Sequence, residues 1–273
     1  MAKKTPEINE GEMGFWDHLE VLRFTLMRSI IAVIVLSVAA FFFKSFIYND
    51  IILGPKTADF ISNRYFCQLG HWLHTESLCI NQMDFPIRNF ELAGQFRNHM
   101  LITIVAGIIL AMPYILNELW RFVKPALTPK EKKGIRGFVF VTNFLFLLGI
   151  SFGYFIIVPL AINFLVSYTL SDDIGNVIRL GSYIRTVVMI SLSTGVVFEL
   201  PVLIYFLAKV GIVTSRLLKT YRKHAYVAFF ILAAILTPPD LISQFLVATP
   251  LIGLYEISIK IAKGIEKKKV ENL

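Results

Sequence analysis

Residues 186–208 read TVVMISLSTGVVFELPVLIYFLA, and Glu199 is the single charge in the run. An α-helix needs about 20 apolar residues to cross a bilayer. An ionised side chain at that depth costs on the order of 3 kcal/mol on insertion scales. A chain carries such a residue where something must be gripped, neutralised or protonated inside the membrane. The stretch therefore points to a working membrane protein rather than a passive anchor. Pro201, two residues on, has no amide hydrogen, so the carbonyl of Val197 loses its helical partner and the helix loosens. Ser191 and Gly195 precede Glu199 at four-residue steps and put a small, polar stripe on the same helix face. The competing reading of Glu199 is an acid hydrogen-bonded to a neighbouring helix for structure alone.

Composition agrees with the membrane assignment. Of 273 residues, 56% are hydrophobic and only 17% charged, with a mean hydropathy of +0.66. These values lie outside the range of ordinary soluble domains. The net charge of +8 does not point to nucleic acid. The basic residues cluster between apolar segments instead of alternating with exposed aromatics along one face. Six apolar segments are predicted as transmembrane helices, at 24–43, 100–120, 138–167, 186–208, 225–236 and 241–255. The third belongs to the uncharged run 137–171, interrupted by Pro159, and is predicted as one kinked span rather than two. The last two are short: about 15 residues reach roughly 22 Å, against a hydrocarbon core of about 30 Å.

The Lys and Arg distribution sets the orientation. Of the 27 basic residues, 20 lie in the N-terminal region through Arg28, in 121–136, in 207–224 and after Tyr255. Short loops dense in positive charge stay in the cytoplasm, so both termini are expected inside. Residues 1–23 form a cytoplasmic interfacial segment, whose Phe15, Trp16, Leu19, Leu22 and Leu26 make a helical apolar stripe. Residues 24–255 form the transmembrane domain, with a long outside loop at 44–99, and 256–273 form a basic cytoplasmic tail. Cleavage after the weak processing signal Ser37-Val38-Ala39 would invert every later loop and misfit the charge count.

Cys67 and Cys79, the only cysteines, fall in the outside loop. An oxidising compartment favours a disulfide between them; two free thiols are the alternative. His71 and His74 lie between them, at spacings that make a weak zinc signal. Gly149-Ile150-Ser151-Phe152-Gly153 matches the G-x-S-x-G nucleophile pattern in letters only, because no His or Asp shares the segment. Gly149 and Gly153, four residues apart, read better as a close helix-packing face. The nucleotide-binding and zinc-protease patterns are absent, so neither an enzyme nor a cofactor is expected. In the loop 121–136, Pro125 and Pro129 stiffen the chain, and Glu131 is the single acid among six basic residues.

Several strings occur in a telling order: His18-Leu19-Glu20 with Leu22-Arg23, Pro113-Tyr114-Ile115-Leu116 with Trp120-Arg121-Phe122, and Lys124-Pro125-Ala126-Leu127 with Glu131. Phe198-Glu199-Leu200-Pro201 follows, then Leu236-Thr237-Pro238-Pro239-Asp240 with Ser243-Gln244. Together they resemble TatC, the polytopic core subunit of the twin-arginine protein translocase, over nearly the whole chain outside 44–99. The resemblance implies a curved six-helix membrane bundle in a bacterial cytoplasmic (inner) membrane. It implies binding of twin-arginine signal peptides and passage of folded proteins driven by the proton-motive force. It implies single-span TatA and TatB partners within an oligomer surrounded by lipid. Phe122 and Glu131 match the family's cytoplasmic phenylalanine and glutamate. Glu20 and Arg23 match its N-terminal motif, except that the usual glutamate position holds Val21. Glu199 matches the intramembrane glutamate, Asp240 and Gln244 polar positions near the outer end, and Pro55 the proline of the first outside loop. The rival function is a proton-coupled small-solute transporter built on Glu199. Such a protein would show internal repeats and several polar groups near the midplane. No duplication is visible, and Glu199 is the one unambiguous buried charge.

Overall fold

The structure, a computed structural model, describes residues 15–72, 79–80, 85–123, 135–171, 175–236 and 241–271. The first helix, α1 (Phe15–Phe42), runs unbroken from the interfacial segment into the apolar run. A short helical stretch, a π-helical turn (Ile47–Ile52) and a 3-10 turn (Gly54–Lys56) lead from it to α2 (Ile61–Trp72). Strand β1 (Ile87–Arg88) precedes α3 (Gly94–Val123). Next come α4 (Ile135–Phe152), a π-helical turn (Gly153–Ile157) and α5 (Val158–Ser167). Strand β2 (Ile178–Arg179) opens α6 (Leu180–Phe198), which breaks at Glu199 before α7 (Leu200–Val210). The chain ends in α8 (Ser215–Thr220), α9 (Arg222–Leu236) and α10 (Leu241–Glu271).

Among the described residues five stretches are long and apolar enough to cross a membrane: Leu19–Phe42, Gly94–Phe122, Gly137–Ser167, Leu180–Val210 and Gln244–Lys267. The third stays whole across Pro159, as expected. The π-helical turn just before that proline absorbs the carbonyl its ring leaves unpaired. Segment 225–236 lies in α9, whose 15 residues reach only about 22 Å.

The expectation of a short sixth span is corrected. α10 is 31 residues long and continues past Tyr255 to Glu271, and its stretch long and apolar enough to cross a membrane runs Gln244–Lys267. Its far half is held by two acids. Glu256 accepts from the Arg222 guanidinium at 2.7 Å and from the Tyr226 hydroxyl at 2.5 Å. Glu266 accepts from the Ser215 amide at 2.6 Å and from the Ser215 hydroxyl. The stretch assigned to a basic tail, 256–273, is therefore helical through Glu271.

The helices pack through small residues. A Cβ on Gly149 would come within 2.8 Å of the Phe198 side chain and 2.9 Å of the Gly195 backbone. One on Gly153 would meet the Ser191 backbone at 3.0 Å. The face expected of Gly149 and Gly153 is thus the contact of α4 on α6, where backbones approach closely. Above the bundle, the 44–99 loop folds back on the helix ends. Tyr154 donates to the Ile51 carbonyl at 2.6 Å and Tyr183 to that of Ile52 at 2.9 Å. Cys67 and Cys79 form a disulfide. Among the described residues the one departure from an all-α chain is the two-residue parallel ladder, which pairs Ile87 with Ile178 and Arg88 with Arg179.

Candidate functional site

Two polar centres lie within the apolar helices. The first is Glu199, at the break between α6 and α7. Its backbone flattens to φ −79°, ψ −2°, and its amide bonds the Val196 carbonyl at 3.1 Å, a tightened turn. Pro201 sits in the first turn of α7, where a missing amide hydrogen is tolerated. The helix axis is thus interrupted where the carboxylate emerges. Both carboxyl oxygens are buried, and among the described residues neither has a hydrogen-bond partner. The alternative of an acid bonded to a neighbouring helix for structure therefore does not hold among those residues. A buried acceptor without a partner costs roughly 1–3 kcal/mol.

The second centre was not legible as a site. Glu118, near the end of α3, is 2% exposed and lies 2.8 Å from Arg121 and 3.6 Å from Arg28. Glu199 is thus not the only buried charge within a span, because Glu118, inside the predicted span 100–120, is buried too. The signal was available: Glu118 and Arg121 stand three residues apart on one helix face. Arg28, on α1, could not be foreseen as the partner, because it comes from a distant helix. The Arg28–Glu118 pair, the Gly107 approach to Ser37 and the Phe41–His99 stack step in opposite directions along α1 and α3. The two helices are therefore antiparallel. Continuing that register sets Phe122 level with about Phe24, so Arg23 lies beside it and Glu20 about one turn beyond.

Aromatics fix that end of α3. Trp120 is buried against Phe206 of α7 and Phe138 of α4, with ring centroids 4.6 and 4.3 Å apart. Tyr205 adds a contact to Phe138 at 4.4 Å. Three spans are thereby pinned beside Phe122, which is half-buried. Glu20 and Arg23 are exposed on the first turns of α1. Glu131, Pro125 and Asp240 lie outside the described residues. Gln244 donates to the Phe230 carbonyl at 3.1 Å, so it ties α10 to α9 rather than lining the Glu199 break. Pro55 is buried, and its carbonyl accepts from Asn63 at 3.2 Å. His71 lies 3.7 Å from the Cys67 sulfur, but sulfurs joined in a disulfide are not thiolate ligands. This trio does not fit a zinc ion.

The family model for Sec-independent protein translocase protein (TatC) matches residues 17–250. The chain belongs to the TatC family. It is 38% identical over 262 residues to a Sec-independent protein translocase protein TatC of Blattabacterium, covering 95% of this chain and 98% of that one. A TatC of Helicobacter pylori is 37% identical, covering 93% and 89% respectively. A crystal structure described as the twin arginine translocase receptor TatC superposes with a TM-score of 0.68 at 30% identity. It covers 91% of this chain and 99% of the other. The protein is therefore a multi-pass membrane protein, a subunit of Sec-independent, twin-arginine protein translocation and not an enzyme.

Proposed function

We propose that this TatC family member is the receptor subunit of its translocase, binding twin-arginine signal peptides at the cytoplasmic face and nucleating passage of folded proteins. In this reading six helices span the bacterial inner membrane with both termini in the cytoplasm, and α9 is the short fifth crossing. Phe122 and Glu131 receive the signal, with Arg23 and, a turn beyond, Glu20 of α1 held near Phe122 by the Arg28–Glu118 pair. An arginine doublet is best met by carboxylates through charge-assisted, often bidentate bonds. Glu131, the single acid in its basic loop, supplies one where the surroundings otherwise repel the signal. TatA and TatB type single-span subunits assemble on this core, and the proton-motive force drives transport.

The observation that carries the reading is Glu199. A buried carboxyl without a partner, at a helix break in the middle of a span, is costly to keep. It is understandable if cargo passage or a partner helix supplies the missing bond. The test is genetic. Deleting the gene should cause precursors with paired arginines to accumulate unprocessed, and wild-type protein but not Glu199→Leu should clear them. Clearance by the variant as fast as by wild type would remove Glu199 from the mechanism.

A further inference from the structure

The strongest chemistry left unused lies at the other end of the bundle, where β1 and β2 lead into α3 and α6. The ladder sets Arg88 directly opposite Arg179. Like charges facing each other across a strand pair destabilise it, yet this two-residue ladder keeps them. Arg185 of α6 joins them in the wall of a cavity of about 430 Å³. Arg97 also lines the cavity but is already paired with Glu91. Among the described residues Arg88, Arg179 and Arg185 have no carboxylate partner.

Two further features point to an anion. The first is the start of α6, a 19-residue helix, which opens on this cavity at Gly181 and Ser182. Its N-cap, Arg179, contributes no side-chain cap, so its first amides and positive dipole end are available to a negative group. The second is Asn98, which is 5% exposed, lines the cavity, and makes no hydrogen bond among the described residues. Its amide, beside Gly181, can donate to a group held in the cavity.

A second cavity, of about 740 Å³, adjoins the first and shares Asn98 and Leu180 with it. It runs between the ends of α1 and α3 and is lined by Lys44, Lys56 and His99, with no carboxylate. Nε2 of His99 is buried without a partner. Apolar side chains such as Ile102 and Phe96 make up much of the remaining wall.

We propose that the arginine-lined cavity binds the phosphate of an anionic phospholipid headgroup, and that the adjoining cavity takes its glycerol and upper acyl chain. The guanidinium forks match phosphate oxygens bidentately. A bound phosphate would relieve the Arg88–Arg179 repulsion. Inorganic phosphate offers the same oxygens, but the half-apolar second cavity suits a lipid. The ends of the spans lie where headgroups meet water. Which leaflet supplies the lipid follows from the orientation proposed above; the binding does not.

The test is native mass spectrometry of the full chain in detergent, titrated separately with phosphatidylglycerol, phosphatidylcholine and inorganic phosphate. Phosphatidylglycerol should be retained in preference to phosphatidylcholine, and excess inorganic phosphate should not displace it. Arg88→Gln with Arg185→Gln should weaken retention about tenfold, the effect of losing one to two charge-assisted bonds. Arg216→Gln with Lys219→Gln, at the other end of the molecule, should leave it unchanged. If the arginine pair proves too disruptive to elute as one species, Arg185→Gln alone carries the test. Equal retention by the arginine variants, or no preference over phosphatidylcholine, overturns the proposal. Displacement by inorganic phosphate overturns the lipid as its source. No signal peptide enters these measurements, so their failure would leave the receptor reading standing.

Discussion

Glu199 and Glu118 are both buried acids, and their environments set them apart. Glu118 holds two arginines, whereas Glu199 holds no group among the described residues. Replacing the two should therefore act in opposite directions. Glu199→Leu removes an unpartnered acceptor, so it should resist unfolding better, by roughly 1–3 kcal/mol, while export of paired-arginine precursors falls. A chemical-denaturation series in detergent, run beside a precursor-processing assay, reads both. Arg28→Gln combined with Arg121→Gln strands the Glu118 carboxylate and should destabilise by about 3–5 kcal/mol. Either single replacement should cost less, because one guanidinium remains. If the double variant unfolds like wild type, Glu118 does not hold α1 against α3. Glu199 was legible from sequence because its run is otherwise uncharged. Glu118 was less legible, because one of its two partners, Arg28, comes from a helix distant in sequence.

Among the elements, the contact of α4 on α6 depends on residues that have no side chain to move. Gly149→Ala sets a Cβ against the Phe198 side chain and the Gly195 backbone, so it should cost about 1–3 kcal/mol. Gly137→Ala has no atom within 4 Å and should be neutral or slightly stabilising, because alanine is the better helix former. Melting temperatures of the two variants in one detergent separate packing from propensity. The sequence made this face visible through a four-residue spacing. It did not make visible where α10 ends. Hydropathy falls after Tyr255, but the helix persists because Glu256 and Glu266 pair with Arg222, Tyr226 and Ser215, which come from α8 and α9. With α10 longer than 241–255, local thinning of the bilayer is expected chiefly at α9, with its 15 residues. Inserting one turn of leucines into α9 should impair export without loss of the folded protein. Undiminished export would dispose of thinning as a contributor.

For the whole molecule, the order of the apolar runs and the motifs strung along them disclosed the family, because span length and hydropathy answer to the bilayer rather than to distant contacts. The cap formed by 44–99 was less legible. Its hydrogen bonds from Tyr154 and Tyr183, and its pairing of β1 with β2, join residues some 90 or more positions apart. The orientation proposed above rests on basic-residue placement. A single cysteine introduced in the Pro125 turn, on a background without Cys67 and Cys79, should be labelled by an impermeant reagent only after the cells are opened. Labelling of intact cells would invert the topology. The central claim is that the end of α3 and the acid beyond it receive the arginine doublet. It is tested most directly by placing a photoreactive residue at Phe122 and presenting a twin-arginine precursor to the membranes. The account requires a crosslink that disappears when the paired arginines become lysines and when Glu131→Lys is introduced. A crosslink of equal yield in all three cases would contradict it.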